Sequence, residues 1–150
     1  LGKTLFVKDM DFEAIIPSVA SGESDIGMAG LTVNDERLKT VDFSLGYYSS
    51  YQVITVREST TLFDECKNAE DVENILKAQN SKYKIGTQNG TTGYMYSAGD
   101  SGFGYDGFKN LTTKGYTTGA LAMKDLSNGK IDAVILDKQP SLMIAATLNK

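Results

Sequence analysis

The sequence contains the same pattern of helix, glycine turn and strand twice. Residues 21–30 and 128–137 align without a gap, and the alignment places Gly22 on Gly129. The apolar positions of the helical segments that precede them align as well. A unit that occurs twice indicates two similar lobes of α/β structure. Because ligands of open α/β sheets bind beyond the carboxyl ends of the strands, the repeat also indicates where a site is expected.

Apolar periodicity and turn residues predict the other elements. Strands are predicted at residues 3–8, 24–30, 53–56, 84–87 and 131–136. Helices are predicted at residues 12–19, 34–40, 72–79 and 119–126, with a further helix beginning near residue 91. The strand, helix and strand at the start of the chain predict a parallel pair with a right-handed crossover. The glycine-rich residues 97–107 predict a mobile surface loop or hairpin.

Composition excludes several classes of function. The 150 residues include one cysteine and no histidine. Zinc sites of the usual Cys/His type and nucleophilic catalysis by Ser-His-Asp or Cys-His are therefore excluded within this chain. A net charge of −4 without a basic stripe argues against a nucleic-acid partner. No cofactor or metal is expected, and no apolar run approaches the roughly 18 residues that a membrane span needs.

Arg37 is an unusual cation for its position. It follows Asn34, Asp35 and Glu36 at a predicted helix start, where the helix dipole favours acidic side chains. A bound anion would reverse this unfavourable placement, and the planar guanidinium suits bidentate recognition of a carboxylate. The alternative is an ion pair with Asp42 or Glu36 on a solvated face. The local sequence alone leaves both interpretations open.

A second segment, residues 84–92, resembles an anion-accepting corner. It joins a strand to a helix start at Thr91 and Thr92 through the turn at residues 89–90. It is not a P-loop, because no Gly-Lys-Ser/Thr sequence follows the glycine. The pattern is too short to identify a ligand by itself.

Facing lobes would bring these groups together. Arg37 with hydrogen-bond donors of Thr32 and Thr92 would bind a carboxylate. Asp137 lies at the strand end equivalent to Gly30 in the repeat, and it would bind an ammonium group with the Gly30 carbonyl and the Thr32 hydroxyl. This set is complementary to an α-amino acid zwitterion. Without the repeat, Asp137 would be interpreted as the cap of a following helix.

Six motifs carry a resemblance to a known family. They are DFEAIIP at residues 11–17, DIGMAGLTVNDER at 25–37, VDFS at 41–44, YY at 47–48, IGTQNGTT at 85–92 and GKIDAVILD at 129–137. In this order the chain resembles the bacterial extracellular solute-binding proteins of family 3, which deliver polar amino acids to ABC importers. The motifs span nearly the whole sequence.

The resemblance implies a type II periplasmic-binding-protein-like α/β fold. Two lobes, each with a mostly parallel sheet flanked by helices, would be joined by hinge strands near residues 49–52. Residues 1–51 would form part of the first lobe, and residues 52–150 the second. The family has a strand and helix before the position of residue 1 and further elements after residue 150, so the chain resembles an internal fragment.

The resemblance also implies roles for individual residues. The carboxylate-binding arginine of the family falls on Arg37, its amino-binding aspartate on Asp137 and its helix-start threonine on Thr92. Phe12 matches a position that packs against the ligand, although a staple at a helix start is the alternative. Gln88 matches a wall position of the pocket. The expected ligand-binding residues are Phe12, Gly30, Leu31, Thr32, Arg37, Gln88, Thr91, Thr92 and Asp137.

The function that the resemblance implies is amino-acid capture without catalysis. The expected partners are a free amino acid and the permease subunits of an ABC importer, outside the cytoplasmic membrane. Membrane association would come only from an anchor or permease outside this chain. One alternative is an enzyme similar to the prephenate or arogenate dehydratases that share the scaffold. Another is the ligand-sensing domain of a signalling receptor.

Overall fold

A single mixed β-sheet organises the computed structural model, which describes residues 2–148. Its strands are β1 (Gln52–Val56), β2 (Lys84–Gln88), β3 (Thr112–Tyr116) and β4 (Ala133–Asp137). Their order in the sheet is β1-β4-β2-β3. Strand β2 runs parallel to both of its neighbours, whereas β1 is antiparallel to β4. The central strand β4 is an unbroken apolar run up to its last residue, as expected for a strand covered on both faces.

Six helices are assigned among residues 2–148, of which two precede the sheet and four follow one strand each. They are α1 (Ile15–Ala20), α2 (Asp35–Leu38), α3 (Ala69–Lys77), α4 (Thr92–Ala98), α5 (Gly119–Ser127) and α6 (Lys138–Leu148), with 3₁₀ turns at Phe12–Ala14 and Ser101–Phe103. Four of them begin at a side chain that accepts a hydrogen bond from a first-turn backbone N–H. These N-caps are Asn34, Asn68, Thr91 and Thr118. Caps of this type explain why three of these helices begin within one residue of their predicted starts, whereas the helix predicted from residue 72 begins at Ala69.

Two apolar clusters cover the two faces of the sheet. Alternate residues of a strand point to opposite faces, and β4 follows that rule. Ala133 and Ile135 belong to one cluster, and Val134 and Leu136 belong to the other. The first cluster packs under α3 through Leu76, and the second packs under α5. The carboxyl end of β4 at Asp137 is therefore held by a core on both sides.

The strands predicted at residues 3–8 and 24–30 are wrong in this structure. Both segments are irregular, and within residues 2–51 the structure assigns no strand. Their apolar side chains are 80–88% exposed: Leu5, Phe6, Val7, Ile26 and Met28. An extended segment forms a sheet only when neighbouring strands satisfy its backbone and cover its apolar face. The predicted parallel pair and the sheet of a first lobe therefore do not form among the described residues.

The sequence analysis missed strand β3 and considered helix α6 only as the helix that Asp137 would cap. Strand β3 is polar and lies at the edge of the sheet, so it has no apolar pattern to reveal it. Helix α6 begins directly after Asp137 and contains Pro140 in its first turn, where a missing N–H costs nothing. The helix that Asp137 was alternatively expected to cap therefore exists, and it follows the strand without a loop.

The glycine-rich segment at residues 97–107 forms a short, closed structure. Asp100 and Tyr105 form an antiparallel bridge with two backbone hydrogen bonds of 2.9 Å. Gly107 has a φ of +69°, and its backbone touches that of Ala98 and Gly99. The hairpin alternative of the prediction thus describes this segment. Among residues 2–148, no helix has the length and apolar character needed to cross a membrane.

Candidate functional site

Arg37 is buried, with 7% of its surface exposed. Its backbone N–H is capped by Asn34, whose Oδ1 accepts a hydrogen bond of 2.9 Å. The guanidinium donates from Nη1 to the Thr32 carbonyl at 2.7 Å and from Nη2 to the Gly90 carbonyl at 2.8 Å. The guanidinium carbon Cζ lies 5.3 Å from the ring centroid of Phe103. Burial lowers the pKa of Arg37 because desolvation disfavours the charged form.

The surface ion pair considered from the sequence does not form. Among the described residues Arg37 has no carboxylate partner, and Glu36 pairs instead with Lys39 at 2.5 Å. A guanidinium has five N–H donors, of which two bind backbone carbonyls here. The other three N–H groups have no hydrogen-bond partner among the described residues, and the two carbonyls and Phe103 hold the plane of the guanidinium.

Asp137 lies at the carboxyl end of β4, opposite Gln52 on β1. The Gln52 amide Nε2 donates to Thr92 Oγ1 at 2.9 Å and also to Asp137 Oδ1. One amide therefore joins the end of β4 to the first residue of α4. Sequence reasoning placed Gln52 only in the hinge region and missed this contact, because the β1–β4 pairing joins residues far apart in the chain.

The hydroxyl of Thr91 has a structural role. It accepts a hydrogen bond from the Tyr94 N–H at 3.3 Å and donates to the Gln88 carbonyl at 2.7 Å. The Gln88 side chain, a predicted wall residue, donates to the Thr117 carbonyl at 3.3 Å. The Thr91 bonds close the turn between β2 and α4, whereas the Gln88 bond joins the end of β2 to the residue after β3. Thr92, at the helix start, is half-buried.

The other predicted residues of the first segment have different surroundings. The Gly30 N–H donates to the Tyr47 hydroxyl at 3.1 Å. Phe12 and Leu31 are half-buried, and Thr32 is exposed with its carbonyl bound to Arg37. A Cβ placed on Gly90 would lie 3.0 Å from that of Glu13, so the 3₁₀ turn that begins at Phe12 touches this glycine.

The turn at residues 88–92 therefore links the two groups of predicted residues. Arg37 reaches it through Gly90, and Asp137 reaches it through Gln52 and Thr92. No direct contact joins Arg37 to Asp137 in the described structure. A cation thus contacts this turn at Gly90, and a carboxylate is linked to it at Thr92 through Gln52. A zwitterion needs one partner of each charge.

Comparison with known proteins identifies the family of this chain. Residues 1–98 match the family model described as bacterial extracellular solute-binding proteins, family 3. The chain is 28% identical over 133 residues to a probable histidine-binding protein of Neisseria gonorrhoeae, and 30% identical over 126 residues to ABC transporter arginine-binding protein 1 of Escherichia coli strain K12. These alignments cover 87% and 84% of the chain, respectively.

A solved structure shows the same fold. Holo ArgBP from T. maritima superposes with a TM-score of 0.76 and 30% sequence identity, covering 99% of this chain and 58% of that one. The alignments cover only 42% and 44% of the two curated relatives, so the chain spans less than half of their length. The mixed α/β fold is thus that of amino-acid-binding proteins. The chain belongs to the bacterial extracellular solute-binding proteins of family 3.

Proposed function

We propose that this chain binds a free, polar L-amino acid as part of the substrate-binding component of an ABC importer. The observation that carries the proposal is that the buried guanidinium of Arg37 and the carboxylate of Asp137 are both linked to the turn at residues 88–92, the first through Gly90 and the second through Gln52 and Thr92. Family membership and the histidine- and arginine-binding names of the relatives support it. Their names describe binding proteins, which supports a function without catalysis.

In this proposal each end of the amino acid has its own partners. Arg37 and the Thr92 hydroxyl bind the α-carboxylate. Asp137, the Gly30 carbonyl and the Thr32 hydroxyl bind the α-ammonium group. Hydrogen bonds to charged groups contribute about 1.5–3 kcal/mol each. Three or four of them, less the cost of ordering, correspond to roughly micromolar affinity or better, about −8 kcal/mol.

The remaining predicted residues form the surroundings of the ligand. Phe12, Leu31 and Gln88 are proposed as walls, and Thr91 as the residue that shapes the helix start. Residues 1–51 and 52–150 are proposed to belong to two lobes that close on the ligand about a hinge near residues 49–52. The proposed location is outside the cytoplasmic membrane, where the ligand passes to permease subunits.

Calorimetric titration of the chain with the twenty amino acids, beginning with arginine and histidine, tests the proposal. We expect at least one of them to bind, and Asp137→Asn to weaken that binding roughly tenfold or more, because one charged hydrogen-bond partner is lost. Asp132→Asn is the matched control at the opposite end of β4, where the side chain accepts a hydrogen bond from the Lys84 N–H. Binding of none of the twenty, or equal effects of both variants, would refute the proposal.

The same preparation separates binding from catalysis. Incubation with prephenate or arogenate should leave both compounds unchanged. Turnover of either compound would favour the dehydratase alternative over capture.

A further inference from the structure

The Gln52 side chain lies between two residues of the proposed site. Its Nε2 carries two hydrogens and donates to two acceptors, Asp137 Oδ1 and Thr92 Oγ1. Gln52 and Asp137 are direct partners in the antiparallel β1–β4 register, so their side chains share one face of the sheet. The amide thus occupies the gap between the end of β4 and the start of α4.

Packing holds this amide in place. A Cβ placed on the buried Gly93 would lie 2.6 Å from Gln52 Oε1, so the amide rests directly against the first turn of α4. Gln52 Oε1 is buried and has no hydrogen-bond partner among the described residues. The two hydrogen bonds from Nε2 therefore hold the Gln52 amide in this orientation, although its Oε1 is left unpaired.

The negative charge of the Asp137 carboxylate is not neutralised by a neighbouring cation among the described residues. Gln52 is neutral, so it orients the carboxylate without neutralising it. The adjacent cation Lys138 is directed elsewhere, because its Nζ donates to the Tyr51 hydroxyl at 2.6 Å and lies 5.1 Å from the Tyr51 ring centroid. Asp137 therefore has one oxygen oriented by an amide and no cationic partner among the described residues.

We propose that Gln52 is a positioning residue that holds the Asp137 carboxylate in the orientation required to recognise the α-ammonium group of the ligand. The inference rests on the proposed amino-acid binding and specifies how that site selects amino acids over the corresponding carboxylic acids. Gln52 acts through Asp137, whose second oxygen it leaves free for the ligand. Gln52 is both the first residue of β1 and the last residue of the proposed hinge at residues 49–52, so this contact lies at the hinge.

The test compares two ligands that differ only in the α-amino group. Arginine and 5-guanidinovaleric acid, which lacks that group, are titrated into the wild-type chain and into Gln52→Met. If the titration with the twenty amino acids shows that another one binds more tightly, that amino acid and its des-amino analogue are used instead. Methionine keeps the length of the side chain and removes both donors. Because Gln52 also donates to Thr92, a proposed partner of the carboxylate that both ligands share, binding of both ligands should weaken. We expect Gln52→Met to weaken binding of the amino acid about tenfold more than binding of the analogue, because only the amino acid has an ammonium group for Asp137.

Thr55→Val is the matched control. It lies on the same strand and removes a hydrogen bond of 2.6 Å to Ser141 Oγ, on the face of α6 rather than at Asp137. It should leave the ratio of the two affinities unchanged, and thermal unfolding of both variants reports their stability. An unchanged ratio in Gln52→Met with intact wild-type binding would overturn the role of Gln52 alone. Absence of any wild-type binding would overturn the proposed function and this inference together.

Discussion

Replacing Arg37 by methionine is the sharpest test of how the two parts of this site are joined. Arg37 lies in the segment before β1, yet it donates to the Gly90 carbonyl, 53 residues further along the chain. Methionine preserves much of the apolar stem and removes the charge and all five donors. The substitution therefore removes one polar link between α2 and the turn at residues 88–92 while the N-cap of Asn34, which uses the backbone N–H, is retained.

The expected magnitude follows from the contacts that disappear. Two hydrogen bonds from a charged donor contribute about 1.5–3 kcal/mol each. The contact with Phe103 adds about 0.5–1 kcal/mol. Two effects offset this loss. Removing a buried charge recovers part of its desolvation cost, which in proteins amounts to several kcal/mol. The carbonyl of Thr32, an exposed residue, can also form a hydrogen bond with water once the guanidinium is gone. We therefore expect the free energy of unfolding to fall by about 2–3 kcal/mol.

Urea unfolding at pH 7, followed by circular dichroism, measures this change. Lys39→Met is the matched control, because it removes the cation of an exposed ion pair with Glu36 on the same segment. Exposed pairs contribute about 0–1 kcal/mol, so the control should change stability little. A loss below about 1 kcal/mol in Arg37→Met, or a loss equal to that of the control, would refute the structural role assigned to the guanidinium.

Three further predictions concern the scaffold around the site. Thr87→Val should raise the free energy of unfolding by about 1 kcal/mol in urea, because the Thr87 hydroxyl is fully buried without a partner among the described residues. Gly107→Ala should cost about 2 kcal/mol or more, since its Cβ would lie 2.4 Å from Gly99 N at a φ of +69°. Gly104→Ala, at a φ of +71° with open space around it, should cost less in the same assay. Burial raises the pKa of Tyr83 from 10.0 to about 12, so the unfolded chain ionises first and the melting temperature should fall as the pH rises through that interval. Tyr83→Phe should reduce this alkaline loss, and an unchanged pH profile would contradict the assignment.

The helices and the central strand were predictable because their signals are local. Asn34 and Thr91 cap the helices they precede, and the apolar run before Asp137 forms the buried strand β4. The family was also readable from its motifs, and the match over residues 1–98 confirms it. Gly22 and Gly129, aligned in the repeat, both adopt a positive φ after a helix. The repeat thus predicted two equivalent glycine turns, although only the second leads into a strand.

Other features depended on partners that are distant in the sequence. Residues 3–8 and 24–30 have the composition of strands but lack neighbours in this structure, and β3 is polar because its edge position does not require burial. The roles of individual predicted ligand residues remain predictions until binding is measured.

The sequence alone thus determined which residues would carry the charge of the proposed site, because residue type and motif order are local information. Only the tertiary structure decided how those residues are held. Phe103 packs on Arg37 and Gln52 bridges Asp137 to Thr92. Both contacts join segments that are brought together by strand pairing and loop packing, and no local pattern specifies either one.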